Sequence, residues 1–82
     1  METRIAVIAI IVENRDSADE INRLLHVYGE YIVRRMGVPY KQKNVSVISV
    51  ILDAPLNQIS ALSGKLGMLP GVSSKTVYSK EK

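Results

Sequence analysis

Cysteine, tryptophan and phenylalanine are all missing from this chain of 82 residues, and histidine occurs once, at His26. Without cysteine there is no disulfide to constrain the unfolded chain and no thiolate for a redox centre. A single histidine without cysteine offers no structural metal cluster, and no metal or other cofactor is expected. Long hydrophobic runs are missing too. The most apolar stretch, Ile5 to Val12, stops at Glu13-Asn14-Arg15-Asp16, far short of the ~20 residues a membrane span requires. It reads as a buried strand. Glu2 and Arg4 precede it and no small-residue cleavage site follows, so no secretory signal is expected and the predicted location is cytoplasmic. The glycosylation sequon Asn44-Val45-Ser46 has no chemical meaning without a secretory route. A large excess of one charge is also lacking: the net charge of +3 permits a polyanionic partner but does not require one.

What is present suits a folded chain. Apolar residues make up 46% and the charges are interspersed, which fits neither disorder nor a fibrous class. The length predicts a single domain over residues 1–82, near the lower limit for an unaided core, where net stability is commonly only ~3 to 5 kcal/mol. With disulfides and metals excluded, self-association is the expected supplement.

The pattern strand, helix, strand occurs twice. After Ile5 to Val12, Ser17 and Glu20 have the spacing of a capping box, and Asp16 and Asp19 put negative charge at the helix start. Ile21, Leu24 or Leu25, and Tyr28 form one apolar stripe, and Gly29 is placed for a left-handed stop. Tyr31 to Met36 reads as a short strand, with helix extension through Arg34-Arg35 as the alternative. Gly37 to Asn44 reads as a loop. The second unit begins with the strand Val45 to Leu52. Asp53 is the expected cap, with Pro55 in the first turn and Ile59, Leu62, Leu66 and Leu69 as the stripe. Gly67 or Pro70-Gly71 ends it, before the strand Val72 to Tyr78. Gly64 inside this helix marks either a close backbone approach or a tolerated glycine.

This order predicts an α+β, ferredoxin-like βαββαβ sandwich, one antiparallel sheet with two helices on one face. Ile5, Val7, Ala9 and Ile11 alternate with Ala6, Ile8, Ile10 and Val12, and the third strand is apolar on both faces as well. Helices cover only one face. The other is expected to form a subunit interface, the alternative being burial under long side chains of neighbouring strands.

No catalytic constellation stands out. Ser63-Gly64-Lys65 lacks the earlier glycine and the following hydroxyl of a phosphate loop, and Ser46, Ser49, Ser60 and Ser73 have no base at a suggestive spacing. His26 would need partners from another subunit to bind metal, and Asp16, Asp19 and Glu20 are explained by the helix start. The densest basic and aromatic cluster is Tyr31, Arg34, Arg35, Tyr40, Lys41 and Lys43. Of these, Arg34, Arg35, Tyr40, Lys41 and Lys43 are the candidate ligand-binding residues, for an anion, a nucleotide or single-stranded nucleic acid. The competing explanation is a solvated loop whose cations protect a sheet edge. RNA recognition of the RRM type is not expected, since neither Phe nor an RNP1 pattern is present.

The segments Glu30 to Tyr40, Val47 to Ala54, and Ile59 to Gly67 with Pro70-Gly71-Val72 resemble the small family described as putative iron-only hydrogenase system regulators, over essentially the whole chain. The resemblance implies an ACT-like fold similar to the C-terminal effector domain of nickel-responsive repressors, standing alone without a DNA-binding domain. It implies a regulatory role rather than catalysis. Amino-acid-binding ACT domains place a glycine between the first strand and first helix, where this chain has Glu13-Asn14-Arg15-Asp16-Ser17, and nickel-responsive domains use several histidines and a cysteine; neither ligand is therefore expected. The resulting expectation is a homo-oligomeric regulatory module with a small effector or protein partner. The alternatives are nucleic-acid or nucleotide binding through the basic loop, or an interaction scaffold without a small ligand.

Overall fold

The computed structural model describes residues 2–80; residues 1, 81 and 82 of the expected domain lie outside the described residues. Four strands and two helices follow one another as β1 (Arg4–Val12), α1 (Ala18–Val27), β2 (Ile32–Tyr40), β3 (Val45–Ala54), α2 (Leu56–Gly67) and β4 (Val72–Tyr78), with 3-10 turns at Arg15–Ser17, Gly29–Tyr31 and Lys41–Lys43. The strands form one sheet in the order β2-β3-β1-β4, every neighbouring pair antiparallel. This is the ferredoxin-like sandwich.

The alternation in β1 decides its faces. Ala6, Ile8, Ile10 and Val12 are buried beneath the helices, where they meet Ile21, Leu24 and Leu25 of α1, Tyr28 at its C-terminal cap, and Ile59, Leu62 and Leu66 of α2. Ile5, Val7 and Ile11 point the other way and stay exposed. The alternative in which neighbouring side chains bury the second face is not what the chain adopts.

Several local expectations are corrected. Ser17 makes no capping bond; it is buried, and its Oγ donates to the Pro70 carbonyl at 2.7 Å, tying the start of α1 to the loop before β4. Asn14 caps the 3-10 turn Arg15–Ser17 that leads into α1, its side chain accepting from the Asp16 amide at 2.9 Å. Glu20 turns outward to pair with Arg23. That hydrogen bond, followed by the charge of Arg23, holds the Glu20 carboxyl below its ordinary value. Asp53 lies within β3, and Pro55 occupies the cap position of α2, its carbonyl accepting from the Gln58 and Ile59 amides. Gly29 is not left-handed. Positive φ is found at Asn44, in the turn between β2 and β3, and at Gly71. Leu69 falls beyond the end of α2 and is only half-buried. A Cβ at Gly64 would meet open space, so within the chain it is a tolerated glycine.

The largest difference is in β2. Tyr31 belongs to a 3-10 turn, and the segment Gly37 to Tyr40, expected as loop, continues the strand, pairing Gly37 with Ile48, Val38 with Val47, Pro39 with Ser46 and Tyr40 with Val45. Pro39 is compatible because β2 is an edge strand, where a missing N–H on the outer side breaks no ladder.

Candidate functional site

A helix of ten residues is only ~15 Å long, whereas strands of nine or ten residues run to ~30 Å. The helical layer therefore cannot cover the whole sheet. A cleft of about 460 Å³ opens between the hairpin of β2 and β3 and the start of α1. Its floor is largely apolar, formed by Val12, Ile21 and Ile48, with Ala18 and Val45 beside them and Ser46, paired with Val12, as the polar exception. Arg15, Asn22, Lys41 and Asn44 supply the polar rim, and among the described residues no carboxylate lines it. The volume lies within the ~300 to 1,000 Å³ usual for small-molecule sites. An apolar floor under a cationic rim suits a small molecule with an apolar body and a negative group.

Backbone geometry creates part of this space. Gly37 lies on the helix-facing side of β2, opposite Ile48, and a Cβ built there would meet only Ile48 Cγ1, at 3.9 Å. Nothing longer than a hydrogen projects from that position into the cleft.

The sequence cluster is only partly assembled. Tyr40 and Lys41 line the cleft. Lys43 lies in the same hairpin turn but is not among its lining residues. Arg34 and Arg35 are separated because successive strand residues point to opposite faces. Arg34 shares the helix-free face with Ile51, its guanidinium donating to the Val33 carbonyl, while Arg35 lies on the helix side and donates to Asn22 Oδ1 at 3.0 Å. Tyr31 is half-buried against the core. Arg15, Asn22, Asn44, Gly37 and Ile48 were not picked out by sequence, and the reading of Gly37 to Asn44 as loop hid the strand that brings them together.

His26 is exposed on α1, and among the described residues no three of His, Cys, Asp or Glu come together as a metal site. Among the described residues no helix is long and apolar enough to cross a membrane.

Comparison with known proteins agrees with this architecture. A family model, TM1266-like, described as "Iron-only hydrogenase system regulator, putative", matches residues 4–76. Among solved structures, the chain is similar to the uncharacterized protein TM1266 from Thermotoga maritima, with 38% identity, a TM-score of 0.92, and coverage of 96% of this chain and 100% of that one. The C-terminal domain of the MgtC protein from Mycobacterium tuberculosis shares the fold at 10% identity and a TM-score of 0.69, covering 96% of this chain and 90% of that one. A formyltetrahydrofolate deformylase from Pseudomonas putida KT2440 does so at 11% identity and a TM-score of 0.64, over 89% of this chain and 28% of that one. At those identities the likeness concerns the fold alone. No curated protein matches the sequence.

Proposed function

The chain belongs to the TM1266-like family, described as "Iron-only hydrogenase system regulator, putative", and we propose that it is a non-catalytic, ACT-like effector-binding module of such a system. The observation that carries the reading is the cleft beside the β2–β3 hairpin, with its apolar floor and with Arg15 and Lys41 at the rim. The effector class is a small molecule bearing a carboxylate or phosphate on an apolar body. The cations hold the anion, and the floor provides the hydrophobic contact, at ~25 cal/mol for each Å² of apolar surface removed from water. A ligand bridging α1 and the hairpin would change how firmly the two are joined, which gives binding a route to a regulatory output.

The test combines native mass spectrometry of the protein purified from its source with a thermal-shift panel of aliphatic carboxylates, free amino acids and nucleoside monophosphates. A co-purifying mass, or a rise in melting temperature with one of these anions, is expected. Arg15→Ala with Lys41→Ala should abolish it, and so should Gly37→Val, which fills the cleft while suiting a strand. A bare chain mass together with a panel response identical in all three proteins would overturn the proposal.

A further inference from the structure

The side of the sheet away from the helices carries a second, independent surface. Its residues are read from the register. Val7 pairs with Ile51, Ala9 with Ser49 and Ile11 with Val47 across the two central strands; Arg34, Met36 and Val38 of β2 continue these rows on one side, and Val77, Lys75 and Ser73 of β4 on the other. Ile5, Val7, Ile11, Val47 and Ile51 are between 37% and 46% exposed, and Met36 and Val77 are 64% and 70% exposed. The centre of this face is free of charge, and its ionic groups, Arg34, Asp53 and Lys75, lie at the margins with both signs present.

We propose that this face is the interface of a homodimer in which a second copy of the chain packs sheet against sheet, β1 over β3 and β2 over β4. Three observations select a second copy as the occupant.

The first is size. Seven residues of β1 are paired on both sides. At ~3.3 Å per residue and ~4.8 Å between strands, the four-stranded face spans a footprint of roughly 450 Å² before the relief of its side chains is counted. A specific interface needs roughly 500 Å² or more from each partner. The flat footprint alone comes to about nine-tenths of that need, and the relief of the exposed side chains adds to it.

The second is self-similarity. The two central strands present the same profile, large, small, large: Val7, Ala9, Ile11 on one and Ile51, Ser49, Val47 on the other. A two-fold dimer places one surface on itself and requires each contact to be made twice. A copy turned about an axis running along the strands between β1 and β3 sets the Val7 position over Ile51, Ile11 over Val47 and Ala9 over Ser49. Large residues then flank a shared shallow strip in both copies.

The third is charge, and it fixes the direction of the axis. An axis perpendicular to the strands, through the row Met36-Ser49-Ala9-Lys75, sets Lys75 directly over the same residue of the second copy, and like charges in a desolvated interface repel. An axis along the strands instead lays the aliphatic stem of Lys75 over Met36, with its ammonium at the rim. Aligned sheets pack at about 30° and ~10 Å apart, an offset that these two long side chains absorb.

The interface and the hairpin cleft lie on opposite sides of the sheet, so each can fail without the other. Light scattering at micromolar concentration should give twice the chain mass. Val7→Lys with Ile51→Lys, two changes at positions already open to solvent in the single chain, should weaken association by at least about 100-fold, because unpaired charges buried in an apolar interface cost several kcal/mol. Val7→Thr with Ile51→Thr keeps strand propensity and should weaken it less, and circular dichroism of both variants should match the unaltered chain. Leu56→Lys, exposed on α2, should leave the dimer intact. Since the chain has no cysteine, introduced thiols report on orientation directly. In an equimolar mixture, Met36→Cys and Lys75→Cys chains should be joined to each other by a short bis-maleimide in preference to self-linking. A chain that stays monomeric, including one that instead binds phospholipid vesicles, would overturn the proposal. A dimer that survives Val7→Lys with Ile51→Lys, or preferential self-linking of each cysteine variant, would do the same.

Discussion

At Gly71 a backbone conformation and a close contact coincide. Its φ is +68°, and a Cβ placed there would come within 2.5 Å of the Asn14 side chain and 2.9 Å of its backbone nitrogen, while the Gly71 carbonyl accepts from the Glu13 amide at 2.8 Å. The contact joins the loop before β4 to the loop after β1, alongside the bond from Ser17 to Pro70. Gly71→Ala should therefore cost about 2 kcal/mol or more, from left-handed strain plus displacement of Asn14. In a domain of this size that is a fall in melting temperature of roughly 10 °C, read by thermal denaturation. Gly64→Ala, with open space around it inside a helix, should instead be neutral or mildly stabilising. The sequence marked Gly71 only as one of two alternative helix ends and placed a left-handed residue at Gly29. Local spacing identifies where a chain turns, but whether a hydroxyl such as Ser17 caps its own helix or reaches a loop 53 residues away is decided by tertiary packing. The Glu20 and Arg23 pair is local but lies in solvent. Since the folded Glu20 carboxyl titrates below its usual value, its small contribution is present above about pH 4.5 and fades as the pH falls.

At the scale of elements, periodicity was the reliable signal and punctuation the misleading one. The alternation in β1 and the stripe Ile59, Leu62, Leu66 of α2 both point to the core as read, because burial of one face is what the pattern records. Leu69 continues the helical spacing on paper but follows the end of α2, where its amide bonds back to the Leu66 carbonyl in the closing turn. Leu66→Ala should thus cost about 2 to 5 kcal/mol through loss of burial and a residual cavity, against a clearly smaller loss for Leu69→Ala, as measured by urea denaturation. Equal losses would show that Leu69 is as much a core residue as Leu66. In β2, Gly37 and Pro39 suggested a loop because both are poor central-strand residues. An edge strand paired on one side tolerates them, and that position in the sheet cannot be read from β2's own residues. The cost to the site was direct: with the hairpin unrecognised, only Tyr40 and Lys41 of the cleft were anticipated, and Arg15 and Asn22, contributed by the opposite wall, carried no signal of their own.

For the whole molecule, the arrangement of charge bears on nucleic acid as a partner. In the sequence Arg34, Arg35, Lys41 and Lys43 stand close together, as a phosphate-binding patch would. In the fold, strand alternation sends Arg34 to the open sheet face and Arg35 to the helix side, where Asn22 engages its guanidinium, and the two lysines follow in the turn beyond Tyr40. Affinity for a polyanion rises with the number of phosphates neutralised together, and each such contact adds about one to the slope of affinity against salt. A net charge of +3 spread over several faces gives few simultaneous contacts. Fluorescence anisotropy with labelled single- and double-stranded oligonucleotides should accordingly show at most weak binding at low salt, lost at physiological ionic strength. Replacing all four cations by glutamine should alter it little. A salt slope of several contacts that falls by about one with each cation removed would instead identify the hairpin as a nucleic-acid surface, and a small anion in the cleft would then be a competitor for Lys41 rather than the effector.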